Sequence, residues 1–224
     1  MSRITGRRAA GLLALVVAGG CAMGIRQACA ETIAIQDWSG TMQYTTSFKG
    51  VIGGYEFTVQ GSPISITKLG FFDYGANGLS ESHDVGIWEL GNTTALATAT
   101  VTSSSPIEGP MVANAGQFRY EELATAVDLN ANTTYRIGAY YSSDHDDAWA
   151  QSNGTVSWTT AGEISYVAPR YKYTDGLAYP DNEASPRELA YFGPNFQFVP
   201  EPGTLGLLIG VGVFVITLRR RRSC

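Results

Sequence analysis

The chain has 224 residues, of which 16% are charged and 11% aromatic, with 26 glycines and a formal net charge of −5. Residues 31–198 hold seven basic and nineteen acidic side chains, a net charge of −12, which argues against nucleic acid as a partner because phosphate binding needs basic surface. All three cysteines, Cys21, Cys29 and Cys224, lie in the flanks, so the body has no internal disulfide, no thiol nucleophile and no cysteine-ligated zinc.

Residues 1–30 read as a signal peptide. Arg3, Arg7 and Arg8 make a basic start, residues 9–20 an apolar run too short to span a bilayer, and Ala28-Cys29-Ala30 a cleavage site. The mature chain then begins at Glu31, and signal peptidase and the export machinery are its first partners. Two other export signals are weaker. The residues after Arg7-Arg8 fit a twin-arginine signal poorly, and Ala18-Gly19-Gly20-Cys21 lacks the leucine of a lipoprotein box.

The body, residues 31–198, is rich in Tyr, Thr, Ser, Val and Gly, residues that suit a pleated, half-buried surface with many turns. Residues 36–54 form a polar entry segment with one edge strand. Tyr55, Phe57 and Val59 alternate with Glu56 and Thr58, and Ile64 and Ile66 open a run that continues through residues 69–72. Further strands are expected over residues 85–90, 95–101, 118–121 and 127–129, with a Ser/Pro/Gly loop at 103–114. Tyr135, Ile137, Ala139 and Tyr141 fall on one face of the clearest strand, residues 134–141. Residues 156–160 and 164–167 are further strands, followed by a Tyr/Pro/Asp/Gly-rich surface loop. Phe196 and Phe198 mark the last strand. This spacing without helical periodicity predicts an all-β fold, a single antiparallel β-sandwich or jelly-roll-like domain.

The strings Gly54-Tyr55-Glu56-Phe57-Thr58-Val59, Asp84-Val85-Gly86-Ile87-Trp88 and Thr133-Thr134-Tyr135 resemble, in that order, a family of exported bacterial β-sandwich domains. The resemblance spans about residues 50–198. It implies a fold and an extracellular setting, and no reaction.

Residues 199–224 form a tail. Pro200-Glu201-Pro202 precedes a 16-residue apolar stretch, 203–218, and then Arg219, Arg220, Arg221 and Arg222. As a helix the stretch is about 24 Å long against a hydrocarbon core of about 30 Å, a short transmembrane helix whose arginines stay cytoplasmic and leave the body outside. Prolines on both sides of Glu201 keep the helix from absorbing it. The four parts in this order closely resemble the PEP-CTERM sorting signal. That resemblance implies recognition by an exosortase, processing near Pro200-Glu201-Pro202, and passage from an inner-membrane-anchored intermediate to the cell surface or extracellular matrix of an exopolysaccharide-making Gram-negative bacterium.

Three groups in the body invite chemistry. Asp144, Asp146 and Asp147 cluster after the 134–141 strand and could ligate Ca²⁺, the only cofactor suggested; a solvated acidic loop tip is the favoured reading. Glu81-Ser82-His83-Asp84 brings hydrolase residues together, but neighbours on a strand face opposite ways and no G-x-S-x-G elbow exists. No catalytic residue is assigned. Trp149, Trp158, Tyr171 and Tyr173, with Trp88, Tyr166 and Tyr179, either cover the core or make a sugar-stacking platform. The sequence therefore leads to a non-enzymatic exported surface or matrix protein. A carbohydrate- or calcium-binding module of the exopolysaccharide matrix is the alternative, and a secreted hydrolase the weaker one.

Overall fold

The computed structural model describes residues 30–47, 49–144, 146–185 and 190–201. The signal segment, the apolar tail stretch with its arginines, Pro202 and His145 lie outside them. Along the described residues run fourteen strands: β1 (Thr32–Ile33), β2 (Ile35–Thr45), β3 (Val51–Val59), β4 (Ile64–Tyr74), β5 (His83–Glu89), β6 (Ala97–Val101), β7 (Ile107–Val112), β8 (Gly116–Leu129), β9 (Thr134–Tyr141), β10 (Trp149–Thr160), β11 (Ile164–Tyr173), β12 (Asn182–Glu183), β13 (Tyr191–Phe192) and β14 (Pro194–Pro200). Among the described residues no helix is long and apolar enough to cross a membrane.

The strands form three sheets, ordered β1-β14-β4-β8-β7, β12-β11-β3-β9-β5-β6 and β13-β10-β2. Every pairing is antiparallel, so the sandwich class expected from the strand spacing is the observed one. The first two sheets meet through aromatic side chains. Phe196 of β14 lies 4.9 Å from Phe57 of β3, and Phe71 of β4 lies 5.3 Å from Tyr141 of β9. Phe72, one residue on and so on the opposite face of β4, meets Trp38 of the third sheet at 5.1 Å. Trp38, Phe57, Phe71, Phe72, Tyr141 and Phe196 are all buried. At about 25 cal/mol per Å² of apolar surface removed from water, such rings are the main source of stability in a domain without disulfides.

Several elements differ from the expectation. The entry segment holds the expected edge strand, β2, but it is eleven residues long and carries Trp38 into the core. The strands expected at 118–121 and 127–129 are one strand, β8, and the apparent gap is a register shift opposite Ile66 and Lys68. The expected loop at 103–114 contains β7, which is mostly exposed and therefore lacks an alternating apolar pattern. β7 reaches β8 through Ala113 and Asn114, at φ 52° and φ 54°, closed by Ala115 N–H donating to Val112 O at 2.9 Å. Two successive residues at positive φ make this the hairpin turn whose twist matches its strands. Finally, β11 runs through Pro169 to Tyr173, where a surface loop was expected; a register shift lies just before the proline, between Tyr166 and Ala168.

The outer face of the β3–β9–β11 region is covered rather than wet. Glu56 of β3 accepts from Arg136 Nε at 2.8 Å and pairs with Arg170 Nη2 at 2.8 Å, and Arg170 also pairs with Glu183 of β12 at 2.9 Å. The chain over residues 179–183 crosses above them. Pro180 O accepts from Arg136 at 2.9 Å, and the Tyr179 ring lies 4.7 Å beneath the same guanidinium. This network fastens the segment leading to β12 onto the sheet.

Candidate functional site

The sorting end is built into the sandwich. Val199 pairs with Ser65 and Pro200 with Ile64, so β14 stays on β4 up to the first residue of Pro200-Glu201-Pro202. Proline has no N–H, and the next rung is made by Glu201, whose N–H donates to Pro63 O at 3.1 Å. The turns at 60–63 and 161–163 flank it, and Gln60, Glu163, Pro200 and Glu201 line a shallow recess of about 400 Å³.

An aromatic cleft of about 340 Å³ opens at another corner. Trp149 of β10 forms its floor, fitted against Gly53 of β3, where any Cβ would collide with the indole. Tyr191 of β13 stacks on Trp149 at 4.9 Å and an interplanar angle of 25°, and Tyr141 meets it edge-on at 5.1 Å. Tyr171 and Tyr173 of β11 form one wall, 5.8 Å apart, and Tyr173 is 62% exposed. Glu183 and Ser185 supply polar atoms to the rim. Burial, and then the neighbouring Tyr171 and Tyr173, push the Tyr191 hydroxyl pKa up. The structure thus brings Trp149, Tyr171 and Tyr173 together. Trp158 is placed elsewhere, against Tyr166 at 4.8 Å and Phe192 at 5.7 Å. Tyr191, Glu183 and Ser185 escaped the sequence reading, because only the β10–β13 pairing, Gln151 opposite Tyr191, brings that segment to Trp149.

Cleft and sorting end lie at opposite ends of the same two strands. β3 and β11 pair from Ile164 opposite Val59, beside the sorting end, to Tyr173 opposite Val51, at the cleft. The eight residue steps of β3 separate them by about 26 Å.

His83 is fully buried, its ring stacked on Phe71 at 3.8 Å. Nδ1 faces Tyr140 O at 3.0 Å and Nε2 faces Asp147 Oδ2 at 2.9 Å. Both ring nitrogens are thus engaged with oxygens of the body itself. Asp147 also accepts from the Ser80 and Glu81 amides at 2.8 Å and 3.1 Å. Burial pushes its carboxyl up, but the hydrogen bonds from His83 and these amides prevail and hold its pKa at about 2. Asp147 is therefore drawn toward the body, bonded to His83 and the Ser80 and Glu81 amides. Among the described residues no three His, Cys, Asp or Glu side chains gather as a metal site, and Asp144 and Asp146 stand on the loop beside it.

Comparison with curated proteins finds no match to the chain. A family description, the PEP-CTERM protein-sorting motif, matches residues 198–222. The match begins at Phe198, inside β14, and takes in Pro200, Glu201 and the tail arginines. Such a motif implies recognition by an exosortase, export, and a membrane-anchored stage before delivery to the surface. This chain is an exported protein, an all-β body that carries a PEP-CTERM protein-sorting motif over residues 198–222.

Proposed function

We propose that the protein is a non-enzymatic component of the cell surface or extracellular matrix of a Gram-negative bacterium, with the sandwich as the delivered part. The observation that supports this most directly is the continuity of β14 with the matched motif, which leaves no further domain between body and address. In cells without the exosortase the body should stay with the inner-membrane fraction. In cells that have it, a non-permeant label should reach the body on intact cells. Equal labelling in both strains would refute the proposal.

A second reading, a carbohydrate-binding module of the same matrix, is favoured by the aromatic cleft. Exposed aromatic rings stack on the apolar faces of sugars while hydroxyls and carboxylates bond their rims, and the cleft volume is within the usual range for a small-ligand site. Its position about 26 Å from the sorting end would aim it away from the membrane while the tail is still attached. A glycan array probed with the mature body tests this. Binding that falls at least tenfold in Tyr173→Ala supports the cleft, and an array without a hit removes the carbohydrate reading.

A further inference from the structure

We propose that the folded body withholds its own sorting motif, and that exosortase processing proceeds through opening of the last rungs between β14 and β4. Pro200, Glu201 and Pro202 offer a single backbone N–H among them, that of Glu201, because proline has none. That donor is already committed to Pro63 O at 3.1 Å. Enzymes that take an extended segment hold it largely by main-chain hydrogen bonds, as an added strand. An exosortase reading this motif in that manner therefore competes with Pro63 for the same donor, and with Ile64 and Ser65 for the strand edge.

The geometry supports competition over joint recognition. The turns at 60–63 and 161–163 rise around Pro200 and Glu201 and form the recess they share, so one side of the motif faces protein. β1 pairs with β14 at Gln197 and Phe198, so among the described residues the strand pairing of Val199 and Pro200 is with β4. Strand ends secured on one side open locally at far lower cost than the domain unfolds. The body would then remain folded while residues 199–201 exchange between the sheet and the enzyme. Processing in this scheme is slowed by the fraction of time the motif spends closed, by about tenfold if the closed rungs are worth one or two ordinary hydrogen bonds.

Two variants of the full chain test this in a host whose exosortase processes the wild type, with conversion followed by pulse-chase. In the first, a flexible Gly-Ser insert between Val199 and Pro200 moves the motif off the sheet; processing should accelerate about tenfold. In the second, Ser65→Cys with Val199→Cys crosslinks a directly opposed pair in the oxidising compartment outside the inner membrane. Processing should slow at least tenfold and recover with reductant, while protease resistance confirms a folded body. An insertion variant processed at the wild-type rate or slower overturns the proposal, as does a crosslinked body processed at the wild-type rate. If the crosslink does not form, the insertion variant decides alone.

Discussion

Glu56→Ala should destabilise the body more than any single change at its surface. The Glu56 side chain is 8% exposed, and one of its oxygens, Oε2, meets both Arg136 and Arg170 at 2.8 Å. Removing the carboxylate leaves two guanidinium groups in a poorly hydrated layer, with Glu183 still paired to Arg170. Breaking a buried ion pair costs about 3–5 kcal/mol. Arg136 keeps the Pro180 carbonyl and the Tyr179 ring, and Arg170 keeps Glu183, so the lower end, about 3 kcal/mol, is expected. For a domain of this size that is a fall in Tm of roughly 6–12 °C. Thermal unfolding of the mature body by circular dichroism reads it directly. Lys172→Ala is the internal contrast, since Lys172 and Asp181 pair at 2.8 Å with both side chains substantially exposed; it should cost about 0.5 kcal/mol or less and respond to salt. A Glu56→Ala loss below about 1 kcal/mol, or one no larger than that of Lys172→Ala, would refute the view that this network fastens the 179–183 segment to the sheet.

Three further outcomes follow from the geometry. Gly53→Ala drives a methyl group into the Trp149 indole and should cost about 3 kcal/mol, visible as a lower Tm and a shifted tryptophan emission; an unchanged Tm would mean that Trp149 is not seated on Gly53. The Asp147 pKa, lowered from 3.8 to about 2, contributes stability that is present above pH 4 and is lost as pH falls through about 2. Given partial solvent access the contribution is roughly 1–2 kcal/mol. Asp147→Asn should flatten this acid limb of the stability curve, and an acid limb unchanged in the variant would remove the assignment. Calcium and EDTA should leave the Tm unmoved, because Asp147 is committed to His83 and two amides; a Tm raised by calcium would place an ion on the 144–147 loop, since a ligand specific to the native state must stabilise it.

The strands that the sequence declares are those with one buried and one polar face. β9 is the plainest, with Tyr135, Ile137, Ala139 and Tyr141 all buried on one side. β7 stayed hidden because an exposed strand carries no alternation, and β8 looked broken because its register shifts opposite Ile66 and Lys68. The outer-face network escaped for a related reason. Glu56 and Arg136 read as the solvent half of two alternating strands, and only the later segment through Tyr179 and Pro180 covers them. Of the site residues, Trp149, Tyr171 and Tyr173 were legible as aromatics in a polar, loop-rich stretch. Their convergence on Tyr191 depends on long-range pairing that no local pattern encodes. The sorting motif was the most legible feature, since its order along the chain is itself the signal; its attachment to Pro63 was not, because a hydrogen bond across 138 residues leaves no trace in composition.

The most direct test of the account is the C-terminal mass of the protein isolated from the surface of its own cells. Sorting by exosortase predicts a chain that ends near Pro202 and lacks the apolar stretch. A surface protein that still carries Arg219, Arg220, Arg221 and Arg222 would contradict it and make the tail a plain membrane anchor.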